Sequence, residues 1–417
     1  MMRPWRAALL VSAALLLPAT GRAQLSTGNF FGVVRYEDGQ PLAGVELALS
    51  GPGVSRSNTS DEQGRFRFVT LPPGIYGIEA TLQGLSNTAT DNVRVEVGRN
   101  TSLELQMMPE IREVVSVAAE APLLDQRRVA TGETLSAEDL EAIPSSRSMW
   151  DTIRQTPGVL IDRVNIGGAE NAQQSTVAGP GTVMQQNAWS IDGVLVSEPN
   201  TSGSSAVFFD LEAVEEVQIT TGGSDIALAT GGVSTNLVTR RGTHQWRGSG
   251  RILRSNGSWQ SDFGFDANDL ARGGPWNLGN AQATTAQTNR IDVVQEVGFE
   301  LGGPLIGDRL WLWMGWSDQT VDVFTLGDFG EDSSIEIPTI KLNADLTSST
   351  SLMAFYMDSD RFNDGRNVGP LFPPPASWRF GSKADVLKLQ LYQQVGSQMY
   401  FDVALSQVDE RLTAEAK

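Results

Sequence analysis

Gln155-Thr156-Pro157-Gly158-Val159, then Ile191-Asp192-Gly193-Val194, then Val214-Glu215-Glu216-Val217-Gln218-Ile219 follow one another along the middle of this chain. The last stretch runs on through Gly222-Gly223-Ser224-Asp225 to Gly231-Gly232-Val233-Ser234-Thr235-Asn236-Leu237-Val238-Thr239-Arg240-Arg241-Gly242. Singly they are ordinary, because Pro-Gly-Val and Asp-Gly-Val are turn sequences and a glycine-rich run reads as a loop. Their surroundings supply the elements. Ser136, with Asp139 three residues on, has the form of an approximate capping box and opens a helix that Pro144 ends. Ser148 and Asp151 repeat the pattern, and Pro157 stops the second helix. Strands are expected over Val159 to Arg163, Ala188 to Val194, Val214 to Thr220 and Val233 to Thr239. The result is a small α+β domain with a mixed sheet. The polar, glycine-rich segments Ile166 to Thr182 and Asn200 to Ser205 are candidate ligand-facing loops.

In this order, and with these flanks, the stretches resemble the plug domain of TonB-dependent outer-membrane receptors. The resemblance implies a plug seated inside a large β-barrel and gating uptake. It also implies a TonB box, a short hydrophobic strand before the plug that pairs with the periplasmic protein TonB and its inner-membrane energising complex. Glu113, Val114, Val115, Ser116, Val117 and Ala118 occupy that place. Their recognition would be strand addition to a sheet edge through the backbone. The other reading of the same residues is that Val114, Val115 and Val117 close the preceding domain or simply link two domains.

Composition narrows the function classes. The chain has 417 residues, and 49 Asp plus Glu against 31 Lys plus Arg leave a formal net charge of −18. That argues against a nucleic-acid backbone as partner, which needs clustered cations. With no cysteine, the chain has no disulfide, thiolate metal site or cysteine nucleophile, and its one histidine, His244, falls short of a zinc peptidase site. A zinc peptidase is therefore not expected, and the receptor resemblance implies no catalytic residue, cofactor or metal. Arg3 and Arg6, the apolar run Ala7 to Leu17 and the small-residue site Gly21-Arg22-Ala23 read as a secretory signal peptide. Nothing after it reaches the roughly 18 apolar residues of a spanning helix. If the mature chain enters a membrane, it does so as a barrel.

The first mature segment alternates as short strands between turns. Val45, Leu47 and Leu49 share one side; Phe66 and Phe68 oppose Arg65 and Arg67; Val93, Val95 and Val97 alternate again. About seven such strands make a β-sandwich. The order Gly-Val-Val, Gly-Gln-Pro-Leu-Ala-Gly-Val, Thr-Ser-Asp-Glu-Gln-Gly-Arg-Phe and Leu-Pro-Pro-Gly-Ile-Tyr resembles the carboxypeptidase regulatory-like domain, which is non-catalytic and similar in fold to starch-binding modules. Carbohydrate binding follows by analogy only. Tyr76, in register with Ile78 and Ala80, belongs to the core rather than to a sugar platform.

From Thr243 the period is two. Ile291, Val293, Val297, Phe299 and Leu301 oppose Asp292, Glu296, Gly298 and Glu300. Leu387, Leu389 and Leu391 oppose Lys388 and Gln390, and Met399, Phe401, Val403 and Leu405 oppose Tyr400, Asp402 and Ser406. Apolar-out, polar-in strands of about ten residues are the outer-membrane barrel pattern. Connections alternate between long (Ser255 to Arg290, Val321 to Ser334, Ser359 to Ala384) and short (Pro304 to Gly307, Thr347 to Thr350, Gly396 to Ser397). Trp311, Trp313 and Trp316 fit either an interfacial aromatic girdle or a buried cluster. The run Gly298 to Trp311 resembles the second barrel hairpin of Oar-like TonB-dependent receptors. About seven strands cannot close a plugged barrel, which takes around 22, so the expectation is part of a longer receptor.

The sequence thus reads as a mainly β chain. It comprises a signal peptide over 1–23, a sandwich over 25–108, a linker with the TonB-box candidate over 109–133, a plug over 134–242 and the start of an antiparallel transmembrane barrel over 243–417. The resemblance implies a receptor or transporter in the outer membrane of a Gram-negative-type bacterium. Its partners would be TonB, outer-membrane lipid and a glycan, peptide or siderophore ligand whose identity the sequence leaves open. The alternative is a secreted or surface carbohydrate-binding protein built on the sandwich.

Overall fold

The computed structural model describes residues 27–109, 130–199, 203–223, 231–261, 289–307, 309–325, 329–347, 349–369, 373–395 and 399–417. The signal-peptide segment 1–23 and the TonB-box candidate 113–118 lie outside them.

Residues 28–107 form two facing sheets. One has the order β4 (Arg65–Leu71), β1 (Gly28–Tyr36), β7 (Asn100–Met107), with β1 antiparallel to β4 and parallel to β7. The other has the order β3 (Val54–Thr59), β2 (Glu46–Gly51), β5 (Gly74–Thr81), β6 (Thr88–Val95). The alternating apolar residues meet between them. Phe30, Phe66 and Phe68 cluster with ring centroids 5.9–6.4 Å apart, and Leu47, Leu49, Ile78 and Val93 close the core. Tyr76 is buried there, its hydroxyl donating to the Pro72 carbonyl at 2.8 Å. A polar tip that finds a partner is what lets a tyrosine lie in a core.

The second body is a five-stranded mixed sheet of order β12 (Val194–Leu195), β11 (Ala188–Ile191), β14 (Ser234–Thr239), β13 (Val214–Gly222), β8 (Thr131–Ser136). A small β9 (Leu160–Ile161) and β10 (Val177–Ala178) ladder lies beside it. The strand β8 was not anticipated; it pairs with β13 from Thr131↔Gly222 to Ser136↔Glu216. Ile191-Asp192-Gly193-Val194 is a two-residue hairpin between β11 and β12, with positive φ at both Asp192 (47°) and Gly193 (76°). Asp-Gly is the pair that tolerates a turn of this hand. Helix α1 (Ala137–Ala142) starts on the expected box: the Ser136 side chain accepts from the Asp139 N–H, and Asp139 accepts from the Ser136 N–H. Helix α2 (Met149–Ile153) does not. Ser148 makes no side-chain cap bond, and Asp151 accepts from the Ser146 hydroxyl instead. The reach back to Ser146 is available because Arg147 turns the chain with φ 63°.

The last part is one antiparallel meander of seven strands, which we call the wall: β15 (Arg247–Asn256), β16 (Arg290–Ile306), β17 (Leu310–Thr325), β18 (Phe329–Thr347), β19 (Thr350–Arg366), β20 (Trp378–Val395) and β21 (Met399–Ala416). From β16 on, the strands run 16 to 19 residues, well beyond the ten expected. The extra length comes from pairing where a loop was expected. Val321 to Thr325 and Phe329 to Ser333 form the end of the β17–β18 hairpin, with Thr325 opposite Phe329. β-Branched Thr320, Val321, Val323 and Thr325 suit that extended surface.

Two further expectations are corrected. Ile291 does not share a face with Val293, because a bulge at Asp292 sets two residues of β16 against one step of β17. Ile291 therefore packs on the mixed sheet's core while Val293, Val297, Phe299 and Leu301 face away from it. Of the two readings open for the tryptophans, Trp311 and Trp313 take the buried one and point inward; of the three only Trp316 faces out, against Phe299 at 6.0 Å. Nor is the inward face uniformly polar. Val294, Val321, Ile335, Ile337, Phe355, Met357 and Val386 join Trp150, Trp189, Ile191, Val217 and Leu237 in a single core. Leu387, Leu389 and Leu391 face outward and exposed, with Lys388 between them inward, as the alternation required.

Candidate functional site

The mixed sheet lies against the inward face of the wall, and buried ion pairs join the two. At the Asp192 turn, the carboxylate accepts from the Thr239 N–H (3.2 Å), the Thr239 hydroxyl (2.5 Å) and Lys341 Nζ (3.0 Å to each oxygen). The Asp192 carbonyl accepts from Lys388 Nζ at 2.5 Å. Two wall strands thus reach one hairpin turn whose left-handed backbone is what presents both groups. Burial makes this economical only because the lysine hydrogens find partners: Lys341 also donates to the Thr239 carbonyl and hydroxyl.

A second network holds the other side. Arg147 donates to Glu296 of β16 (3.2 Å) and to Glu212 (2.9 Å). Arg251 of β15 donates to the same Glu296 (2.5 Å) and to Asp210 (2.6 Å). Arg240 donates to Glu300 at 2.8 Å, and Trp313 Nε1 donates to that carboxylate at 3.3 Å. Burial alone would lower the Arg147 pKa, but Glu296 and Glu212 outweigh it and hold the guanidinium charged. At Asp210 burial wins instead: it raises the carboxyl pKa despite the lowering effect of Arg251. Gly298 leaves room for this guanidinium: a Cβ there would lie 2.7 Å from the Arg251 guanidinium carbon, so a side chain would push Arg251 from its place.

A cavity of about 550 Å³ opens at the end of the wall away from the short β16–β17, β18–β19 and β20–β21 connections. The loop after β9 forms its floor. Arg163 pairs with Glu170 at 2.8 Å, Asn165 bonds Asn171 at 2.6 Å, and Asn171 donates to the Ser146 carbonyl at 2.9 Å. Gly167 and Gly168, with φ of 64° and 88°, press this loop on the wall: a Cβ on either would lie 2.9 Å from Ile291 or Val294. Val164 and Ile166 are left 70% and 73% exposed. Arg290, stacked 4.2 Å over Phe324, and Glu331, which accepts from Gln173 at 2.8 Å, form the sides. Such a mixture of arginine, carboxylate, amide and exposed apolar groups suits a ligand with both polar and apolar parts.

The candidate loop Ile166 to Thr182 therefore contributes its first half to the cavity, through Ile166, Gly167, Ala169, Glu170, Ala172 and Gln173, whereas its second half folds back to pair β10 with β9. Of Asn200 to Ser205, residues 203–205 are described and do not line it. His244 packs edge-on to Trp311 at 5.5 Å. Sequence reasoning missed the joining residues Arg147, Arg240, Arg251 and Lys341. Glu296, Glu300 and Lys388 carried a signal, as charges on the face opposite the apolar one.

Residues 29–108 match the family model described as the carboxypeptidase regulatory-like domain, and residues 125–234 match that of the TonB-dependent receptor plug domain. The chain is similar to the TonB-dependent transporter Oar of Myxococcus xanthus, 25% identical over 389 residues that cover 84% of this chain and 32% of Oar. It thus spans about a third of that relative's length. Among solved structures it is similar to the outer membrane transporter YddB of Escherichia coli (TM-score 0.50, 15% identity, covering 66% of this chain and 38% of that one). It is also similar to the siderophore receptor PirA of Acinetobacter baumannii (TM-score 0.49, 14% identity, covering 67% and 40%). The chain is thus similar to the TonB-dependent transporter Oar over most of its own length, with a segment matching the carboxypeptidase regulatory-like domain ahead of one matching the TonB-dependent receptor plug domain, and a fold like that of YddB.

Proposed function

We propose that this chain is the N-terminal part of a TonB-dependent outer-membrane receptor that takes up its ligand through a plugged barrel. The observation that carries the reading is the mixed sheet packed on the inward face of a wall whose outward face is apolar. Leu301, Leu352, Leu387, Leu389, Leu391 and Val403 then meet lipid hydrocarbon, and the polar inward residues meet plug and solvent. The ligand enters at the 550 Å³ cavity over the plug loop. TonB adds a strand to residues 113–118 and displaces the plug. No bond in the ligand is made or broken, so no side chain is given a catalytic role. The carbohydrate-binding alternative has no observation in its favour, with Tyr76 in the sandwich core.

The test is Val115→Pro in the full-length receptor. Proline lacks the N–H that an added strand donates. Outer-membrane abundance and ligand binding to de-energised cells should stay normal while energised uptake is lost. Normal uptake at normal abundance would remove 113–118 as the TonB contact. Loss of abundance together with uptake would show that Val115 packs into the sandwich edge.

A further inference from the structure

The sandwich is seated on the plug and the wall at once, at the end of the short turns. The Val97 N–H, after β6, donates to Glu216 Oε1 of β13 at 2.9 Å, and Gln218 Nε2 donates back to the Val97 carbonyl at 3.3 Å. Arg241, just past β14, donates to the Gly53 carbonyl between β2 and β3 at 3.0 Å. The Arg56 guanidinium of β3 lies 4.6 Å over the ring of Tyr392 in β20. Between the three bodies lies a cavity of about 220 Å³, lined by Arg56 and Pro72 of the sandwich, Asp192 and Arg241 of the plug, and Asn343 and Tyr392 of the wall.

This seat is not built like a permanent interface. Arg241 Nε, Asn343 Oδ1 and the Tyr392 hydroxyl are buried without a protein partner among the described residues. The sandwich core and the plug–wall core are separate clusters. A few hydrogen bonds and one cation–π contact around unfilled polar space describe a domain contact that opens, whereas an obligate one would be apolar and close-packed. The place matters as well. Asp192 and Asn343 lie where plug and wall meet at this end, and the sandwich covers the cavity they line.

We propose that the sandwich is a removable lid over the turn-side mouth of the channel. Seated, it closes the path between plug and wall; lifted, it opens that path. The proposal rests on the plugged-barrel reading and gives the first domain a task within it.

The chain contains no cysteine, so Asn343→Cys places a single thiol under the lid. No described hydrogen bond of Asn343 Oδ1 is lost. The probe is a water-soluble maleimide reacting with purified full-length receptor, with Glu62→Cys at an exposed position of the sandwich as reference. The thiol at 343 should react at least tenfold more slowly than the thiol at 62. Adding Gln218→Ala and Tyr392→Leu removes two partners of the seat from outside the sandwich, leaving its own fold untouched. In that background the reaction at 343 should accelerate at least fivefold while the rate at 62 stays the same. Equal rates at 343 and 62 in the otherwise unaltered receptor would overturn the lid, as would no acceleration in the altered one. Neither measurement needs ligand or TonB, so failure of uptake in the Val115→Pro experiment and failure here remain separate results.

Discussion

Asp192 joins three elements through one side chain and one carbonyl, and it is almost fully buried. Removing one partner of such a pair leaves the other charge buried without compensation, at a cost of about 3–5 kcal/mol. Asp192→Asn should therefore loosen the plug on the wall, read as an earlier urea midpoint for protease protection of residues 130–241. Lys341→Met on top of Asp192→Asn should recover part of the loss, which a purely additive pair would not do. Glu216 offers a titration. Burial pushes its carboxyl up to about 7, with Glu96 pushing the same way and the Val97 N–H, Arg99 and Arg94 opposing. Its ordinary value is 4.5, so the folded form holds more protons between those two pH values. Its contribution is fully present below about pH 4.5 and is lost as pH rises through about 7, up to ~3 kcal/mol in all. Between pH 5 and 8, wild type should lose several degrees of melting temperature relative to Glu216→Gln. A gap that does not change with pH would refute this.

At the scale of elements, two helices with the same sequence signal behave differently. Both serines were readable, but only Ser136 caps, because Asp151 turns to Ser146. Ser136→Ala should cost about 1 kcal/mol, visible as faster hydrogen exchange in the first turn of α1. Ser148→Ala should leave the exchange of α2 unchanged, there being no cap bond to lose. The strands were legible wherever one face is buried, since period-two alternation needs only a binary choice at each residue. That is why Leu387 to Leu391 were assigned correctly. At Ile291 the alternation misled, because a bulge inserts one residue and turns the side chains beyond it to the other face. The β17–β18 hairpin was cut short for a related reason. Asp322, Asp332 and Ser334 look like loop residues until Val321 and Ile335 are seen to face the plug from the same ladder.

At the scale of the molecule, the wall is an open sheet with β15 and β21 at its edges. An edge strand presents unpaired N–H and C=O groups to whatever strand meets it. Residues 243–417 expressed alone in detergent should aggregate and show no heat-modifiable band on gels. A monodisperse, heat-modifiable species from these residues would contradict the topology. The inner face adds to the expectation: Val294, Ile335, Phe355 and Val386 are covered by the plug and would be bare without it.

The sequence by itself determined the kinds of body this chain makes. Local turn chemistry, capping patterns and alternation act over a few residues, and they mark a sandwich, a small α+β domain and outward-apolar strands before any contact is known; that the α+β domain is a plug came from the resemblance. The Tyr76 core position was already readable there, whereas the single strand expected over Ala188 to Val194 is broken at 192 by the Asp-Gly hairpin. Only the tertiary structure decided which charges meet. Arg147 with Glu296, Lys341 with Asp192 and Glu216 with Val97 are each separated by more than a hundred residues. No periodicity records such a pairing, because it depends on how strands from two or three bodies stack. The inward tryptophans and the seat of the sandwich follow the same rule. They are settled by what covers a face, and that cover comes from a distant part of the chain.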